Sequence, residues 1–140
     1  MINSIKYFEE KCISKFEQLE DDFMKERALS LYRNGSSCGQ CIILAANEKY
    51  SLGIGDDVFR AMTMTQNGFG YGGMCAAAAS AVMLFGIMFD ENTAKAMRIE
   101  FLEDFKKKCR SFNCCVISGD CESIIAVAAQ TAENIIERYR

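Results

Sequence analysis

Apolar residues recur along this chain at spacings of three and four, the period of helices that lay one face on a core, and no segment sustains period-two alternation. Ile5, Phe8, Cys12, Phe16 and Leu19 form the first such stripe and predict a helix from Ile5 to about Leu19. The pattern continues through "DDFMKERALSLYRNG" with Phe23, Ala28, Leu31 and Tyr32, and Asn34-Gly35 is a stop signal. Ser36 and Ser37 are placed to cap the next helix, "CGQCIILAANEKY", which ends near Ser51. Asp56 or Asp57 is expected to cap a further helix through Met64, ending at Asn67-Gly68. After the glycine run "GFGYGG" comes an uncharged stretch from Gly73 to Phe89. The charged helix "DENTAKAMRIEFLEDFKKKC" follows, with Ala94, Met97, Phe101, Leu102 and Phe105 inward. A last helix runs from Glu122 to about Arg138 on Ile125, Ala128, Ala129 and Ile135. The reading is all-α: a single-domain bundle of about six helices around a central apolar helix, residues 73–89, with residues 1–24 as a helical extension.

Length and charge narrow this picture. At 140 residues the chain can bury a core without covalent staples. Its net charge of -3 argues against broad electrostatic binding of nucleic acid, and Lys106-Lys107-Lys108 reads as complement to a helix C-terminus. The uncharged stretch opens with Gly, Ala and Ser, which transfer weakly into hydrocarbon, so a buried helix is expected there and no membrane insertion. No secretory signal is visible at "MINSIKYFEEKC", and a cytoplasmic location is expected. Thiols stay reduced in that compartment, so eight cysteines do not read as a disulfide framework.

The chemistry must therefore be sought in the sulfurs. There is no histidine, which excludes Ser-His-Asp and Cys-His engines. The glycine run follows a helix and lacks Gly-Lys-Ser/Thr, so it is a tight turn presenting Cys75 and not a nucleotide loop. On the helix map Cys38, Cys75 and Cys121 all fall at helix starts, where unpaired amides and the dipole favour a thiolate. Their pKa values are expected to fall toward neutrality, whereas apolar burial would have the opposite effect. Cys38 and Cys41 form a Cys-x-x-Cys that suits a redox pair or half a zinc site. Cys114 and Cys115 are adjacent, and the strain of a vicinal disulfide argues for separate roles. Cys12 reads as core filler and Cys109 as a surface thiol.

Four segments taken together carry a family likeness: "NGSSCGQCIILA", "GFGYGGMCAAAASAVMLFG", "FKKKCRSFNCCVISG" and "CESIIAVAAQTAENI". Over about residues 25 to 137 the chain resembles the C_GCAxxG_C_C family, small helical proteins described as redox-active. The resemblance implies four signature cysteines, falling on Cys38, Cys75, Cys114 and Cys121; Cys12, Cys41, Cys109 and Cys115 are then extras. Two departures stand out. The motif after Cys75 reads Ala-Ala-Ala-Ala-Ser, with larger residues in place of both family glycines, and the connection from Cys114 to Cys121 is short.

The functional expectation is a thiol-redox protein in which these four cysteines are the catalytic set for dithiol/disulfide exchange, Cys38 and Cys75 being the nucleophiles. The alternative is a binding protein in which the same sulfurs hold zinc, copper(I) or an iron-sulfur cluster. Neither reading assigns a cofactor. A redox partner protein and a homodimer are the expected associations.

Overall fold

Six α-helices carry the fold of residues 23–117 and 119–140, the part of the chain that the computed structural model describes. They are α1 (Phe23–Arg33), α2 (Cys38–Tyr50), α3 (Asp56–Met62), α4 (Ala76–Met88), α5 (Glu91–Cys109) and α6 (Cys121–Tyr139). Among the described residues there is no strand, only an isolated antiparallel bridge between Met74 and Asn113. The all-α expectation holds. The stripe from Ile5 to Leu19, Cys12 included, lies outside the described residues.

Local chemistry sets the helix limits. Gly35, at a φ of 104°, closes α1: its amide reaches the Tyr32 carbonyl and the Ser36 amide reaches Leu31. Ser37 then opens α2 with a reciprocal cap, its hydroxyl accepting from the Gln40 amide while the Gln40 side chain accepts from the Ser37 amide. Replacing Ser37 by alanine is expected to lower stability by about 1 kcal/mol, measurable by urea denaturation, with no loss of helix elsewhere.

Three boundaries differ from the sequence reading. Extended Gly55 precedes α3, so Asp56 and Asp57 occupy its first turn and complement the dipole instead of capping it. That helix ends at Met62 and tightens into a turn over Thr63–Thr65. The apolar helix begins at Ala76, because Gly73 and Met74 are drawn out of it by pairing with the segment around Asn113.

The first half of α4 is the centre of the bundle. Ala76, Ala77, Ala78, Ala79, Ser80 and Ala81 are buried, and α2, α5 and α6 all pack on this helix. Its far end emerges, exposing Met83, Gly86 and Ile87. An aromatic ladder runs from α4 along α5: Phe85 meets Phe101 edge-on at 5.8 Å, Phe101 stacks on Phe105 at 5.7 Å, and Phe105 on Phe112 at 6.3 Å. Cys109 completes the inward stripe of Phe101 and Phe105 at i+4 spacing and is buried, 2% exposed. The expectation of a surface thiol there is corrected; the three lysines before it point outward while Cys109 does not.

Candidate functional site

One cavity of about 120 Å³ is lined by Cys38, Cys75, Cys114 and Cys121, with Gly68, Ile117 and Ile124 among its other walls. Each sulfur arrives on a different piece of backbone. Cys38 is the first residue of α2, Cys75 immediately precedes α4, Cys114 sits in the turn after α5, and Cys121 is the first residue of α6. All seven described cysteines are free thiols.

A short stitch of backbone couples two of these segments. The Cys75 amide donates to the Phe112 carbonyl at 2.7 Å, and the Cys114 amide donates to the Gly73 carbonyl at 2.7 Å, on either side of the Met74–Asn113 bridge. In antiparallel pairing this puts residues 75 and 114 on the same face of the bridge. Before the stitch the chain makes a wide turn over Gly68–Gly72, closed by the Gly73 amide on the Gly68 carbonyl. Asn67, Gly68, Phe69, Gly70 and Gly72 all have positive φ. At Gly72 a side chain would collide with the sulfur of Cys115, so this turn and the one around Cys114 are in direct contact. The glycine run serves close backbone approach, as its composition indicated, with the cysteine turn as its neighbour. Ala76 lies inside α4, where its backbone is helical, so the missing family glycine imposes no strain.

The remaining cysteines face elsewhere. Cys41 is buried in the core, its thiol donating to the Cys38 carbonyl at 3.2 Å, and burial pushes its pKa up to about 12. The residues between the two are structural. Gly39 has no room for a side chain beneath Thr65, and Gln40 forms the cap and donates to the Phe59 carbonyl. Cys-x-x-Cys therefore reads here as one cavity thiol and one core thiol. Cys115 is exposed beside Gly72, and burial raises the pKa of Cys109.

Burial divides the four cavity thiols. Cys75 is buried and Cys38 half-buried, while Cys114 and Cys121 are exposed. The expected fall toward neutrality at helix starts is not found at Cys38 or Cys75. Burial pushes both upward, and the amides of Gly39 for the first and of Ala78 and Ala77 for the second oppose it without prevailing. Mutual repulsion adds to the rise: Cys38 feels Cys75 and Cys121, and Cys75 feels Cys114 and Cys121. Cys114 is likewise raised, by partial burial first and then by Cys115 and Cys121.

Sequence reading missed Tyr32. Its ring lies on the inward stripe of α1 and packs on the core, and its pKa is raised, first by interaction with Cys121. The signal available was its place four residues before the Ser36-Ser37 cap, and nothing in the sequence paired it with residue 121. Among the described residues no group of three or more His, Cys, Asp or Glu is arranged to hold a metal ion. No described helix is long and apolar enough to cross a membrane.

The fold and the site together define a small all-helical domain whose core opens on a shared cavity of cysteines from four segments. The chain belongs to the family described as "Putative redox-active protein (C_GCAxxG_C_C)", which matches residues 36–135. No curated protein and no solved structure matches it.

Proposed function

We propose that the protein is a dithiol/disulfide exchange protein working through Cys38, Cys75, Cys114 and Cys121. The observation that carries this reading is the convergence of these four thiols on one cavity while Cys41 and Cys109 are turned into the core. Accessibility sets the roles, and it reverses the order inferred from helix starts. Cys114 and Cys121, at the exposed rim, meet the substrate, and Cys38 and Cys75 are the internal partners.

In the exchange, a rim thiolate attacks one sulfur of a substrate disulfide and expels the other as a thiolate, which takes up a proton. A second cavity thiol loses its proton and attacks the rim sulfur of the mixed disulfide, releasing the substrate as a dithiol and leaving an internal disulfide. Two electrons pass from protein to substrate, and an external dithiol restores the reduced form by the same steps reversed. Raised pKa values at Cys38 and Cys75 keep the internal pair protonated until the mixed disulfide brings a sulfur within reach. The reading includes a redox partner protein and a reducing compartment such as the cytoplasm. Exposed Met83, Ile87 and Ile99 support a homodimer as the working state.

Protein prepared without oxygen, treated with diamide and mapped by alkylation and mass spectrometry tests the proposal. The four cavity cysteines are expected to become linked among themselves, with Cys41 and Cys109 still reduced. If those four stay reduced under oxidant, the reading fails. If instead they resist labelling until a chelator is added, they hold a metal and the exchange reading is replaced.

A further inference from the structure

Half of the large apolar side chains left exposed among the described residues are gathered on the cavity rim and the turn behind it: Met64, Phe69, Tyr71 and Val116. Gly68, a wall of the cavity, and Gly72, against the Cys115 sulfur, bracket Phe69 and Tyr71, which are 56% and 92% exposed. Val116 directly follows Cys115, and the turn over Thr63–Thr65 that carries Met64 packs on the glycine turn. Scattered singly, exposed apolar residues need no account; gathered beside reactive groups, they mark a surface that meets a partner.

The backbone shows that Phe69 is not there for the turn. Asn67, Gly68, Gly70 and Gly72 are left-handed, and their residue types accept that conformation; Phe69, at φ 62° and ψ 33°, is left-handed as well and its type does not. Glycine or asparagine would serve the turn at less cost, and the ring recovers little of that cost by burial, since more than half of the residue is exposed. A strained residue whose side chain the fold leaves in solvent is one kept for binding. Between Phe69 and Tyr71, Gly70 leaves open space beside its Cα, where another main chain can approach.

We propose that the Phe69–Tyr71 turn, with Val116 beside it, is a docking surface for an extended polypeptide: the segment of a substrate protein that flanks its disulfide with apolar, uncharged residues. This rests on the exchange reading and names the substrate class of that site. Charge selects the occupant. Residues 61–89 and 111–119, which include both rim turns, contain no Asp, Glu, Lys or Arg. At the α6 side of the rim, the Arg33 guanidinium is engaged by two hydrogen bonds to Glu122, at 3.0 and 3.3 Å. A small charged disulfide such as oxidised glutathione meets no complementary charge on these turns, whereas an apolar chain has no charge to desolvate there and gains contact with the rings. Position does the rest: a segment held on Phe69 and Tyr71 lies beside the rim on which Cys114 is exposed, so its disulfide is presented to a thiol.

The test is binding, followed by heteronuclear NMR on fully reduced protein, of a short peptide whose central S-methylcysteine is flanked by leucine and phenylalanine. A second peptide carries glutamate at the flanking positions. The parent is expected to bind the apolar peptide about fivefold more tightly or better, with shifts gathered over residues 68–72 and 114–117. Phe69→Asn combined with Tyr71→Ser should lose most of that preference. Both residues are exposed and asparagine accepts the left-handed backbone, so the variant keeps its fold, which its helix content and urea midpoint check. No binding of the apolar peptide, equal binding of the two peptides, a preference retained by the variant, or equal competition by S-methylglutathione would each overturn the proposal. Sedimentation of the peptide-free protein covers a second copy as occupant: a dimer that the double substitution breaks would overturn the polypeptide reading. S-methylcysteine cannot exchange, so docking is read without disulfide chemistry; it can stand where the diamide mapping fails, and fail where the mapping succeeds.

Discussion

Phe101→Ala should remove a large share of the molecule's stability, with an expected loss of about 3–5 kcal/mol. Phe101 is fully buried and is the rung of the aromatic ladder that touches both Phe85 and Phe105. Removing it deletes apolar burial and leaves a cavity that the neighbouring rings, already stacked, can fill only in part. Against a total of about 5–15 kcal/mol for a domain of ordinary stability, the melting temperature should fall by more than about 10 °C. The effect should also reach the cysteines. Phe105 stacks on Phe112, and the Phe112 carbonyl receives the Cys75 amide, so loosening the ladder loosens the stitch that holds Cys75 beside Cys114. Calorimetry with labelling of Cys75 checks both parts; a loss below about 1 kcal/mol would mean that the ladder is not the core it is taken to be.

Lys49→Met should be the second most damaging change, and its damage should depend on pH. Glu133 is 1% exposed in the middle of α6. One of its carboxylate oxygens accepts from the Met24 amide at 2.9 Å and lies 3.1 Å from the Lys49 ammonium, so the ion pair and the start of α1 share a single buried group. Burial holds the Glu133 pKa above the usual carboxylate range even with Met24 and Lys49 pulling it down. Without the ammonium, the charge remains buried with one hydrogen bond, and a loss of about 3 kcal/mol is expected near neutral pH. Because the folded pKa is raised above the unfolded one, the protonated form supplies stability that is fully present below the unfolded value. It is lost as pH rises through the folded value. The deficit of the variant relative to the parent should therefore be smallest near pH 4, where a neutral Glu133 needs no partner, and largest above about pH 7. Denaturation of both proteins at the two pH values measures it, and an equal deficit at both would show that the lysine contributes packing and not charge.

What could be read from the chain alone follows the reach of the forces involved. Helix periods and caps are local, so α1, α2, α5 and α6 were legible to within a few residues, as was the Ser37 cap. The start of α4 was not, because Gly73 and Met74 are held by a segment some forty residues away, and pairing of that kind leaves no periodic trace. Cys109 was misread from its lysine neighbours, although the i+4 spacing from Phe101 and Phe105 marked it as inward. Glu133 could have been noticed by the same route, since it lies between Ala129 and Ile136 on the buried stripe of α6. The four cavity cysteines came from helix starts and family likeness, while their division into rim and interior depended on burial, which helix starts do not reveal. Tyr32 needed the junction of α1 with α6, a tertiary fact.

The distribution of the cavity thiols over four separate segments has a further thermodynamic meaning. Apart from Cys114 with Cys121, any pair that joins would close a loop of several tens of residues. A cross-link of that span removes conformations from the unfolded chain and raises the free energy of unfolding by about 3–5 kcal/mol. Linkage makes the benefit mutual: the native fold must favour the cross-link over an open dithiol by the amount that the cross-link favours the native fold. In a protein built this way the native reduction potential and the gap in melting temperature between the oxidised and reduced forms are two readings of one free energy, and a substitution moves the potential only as far as it weakens one form more than the other.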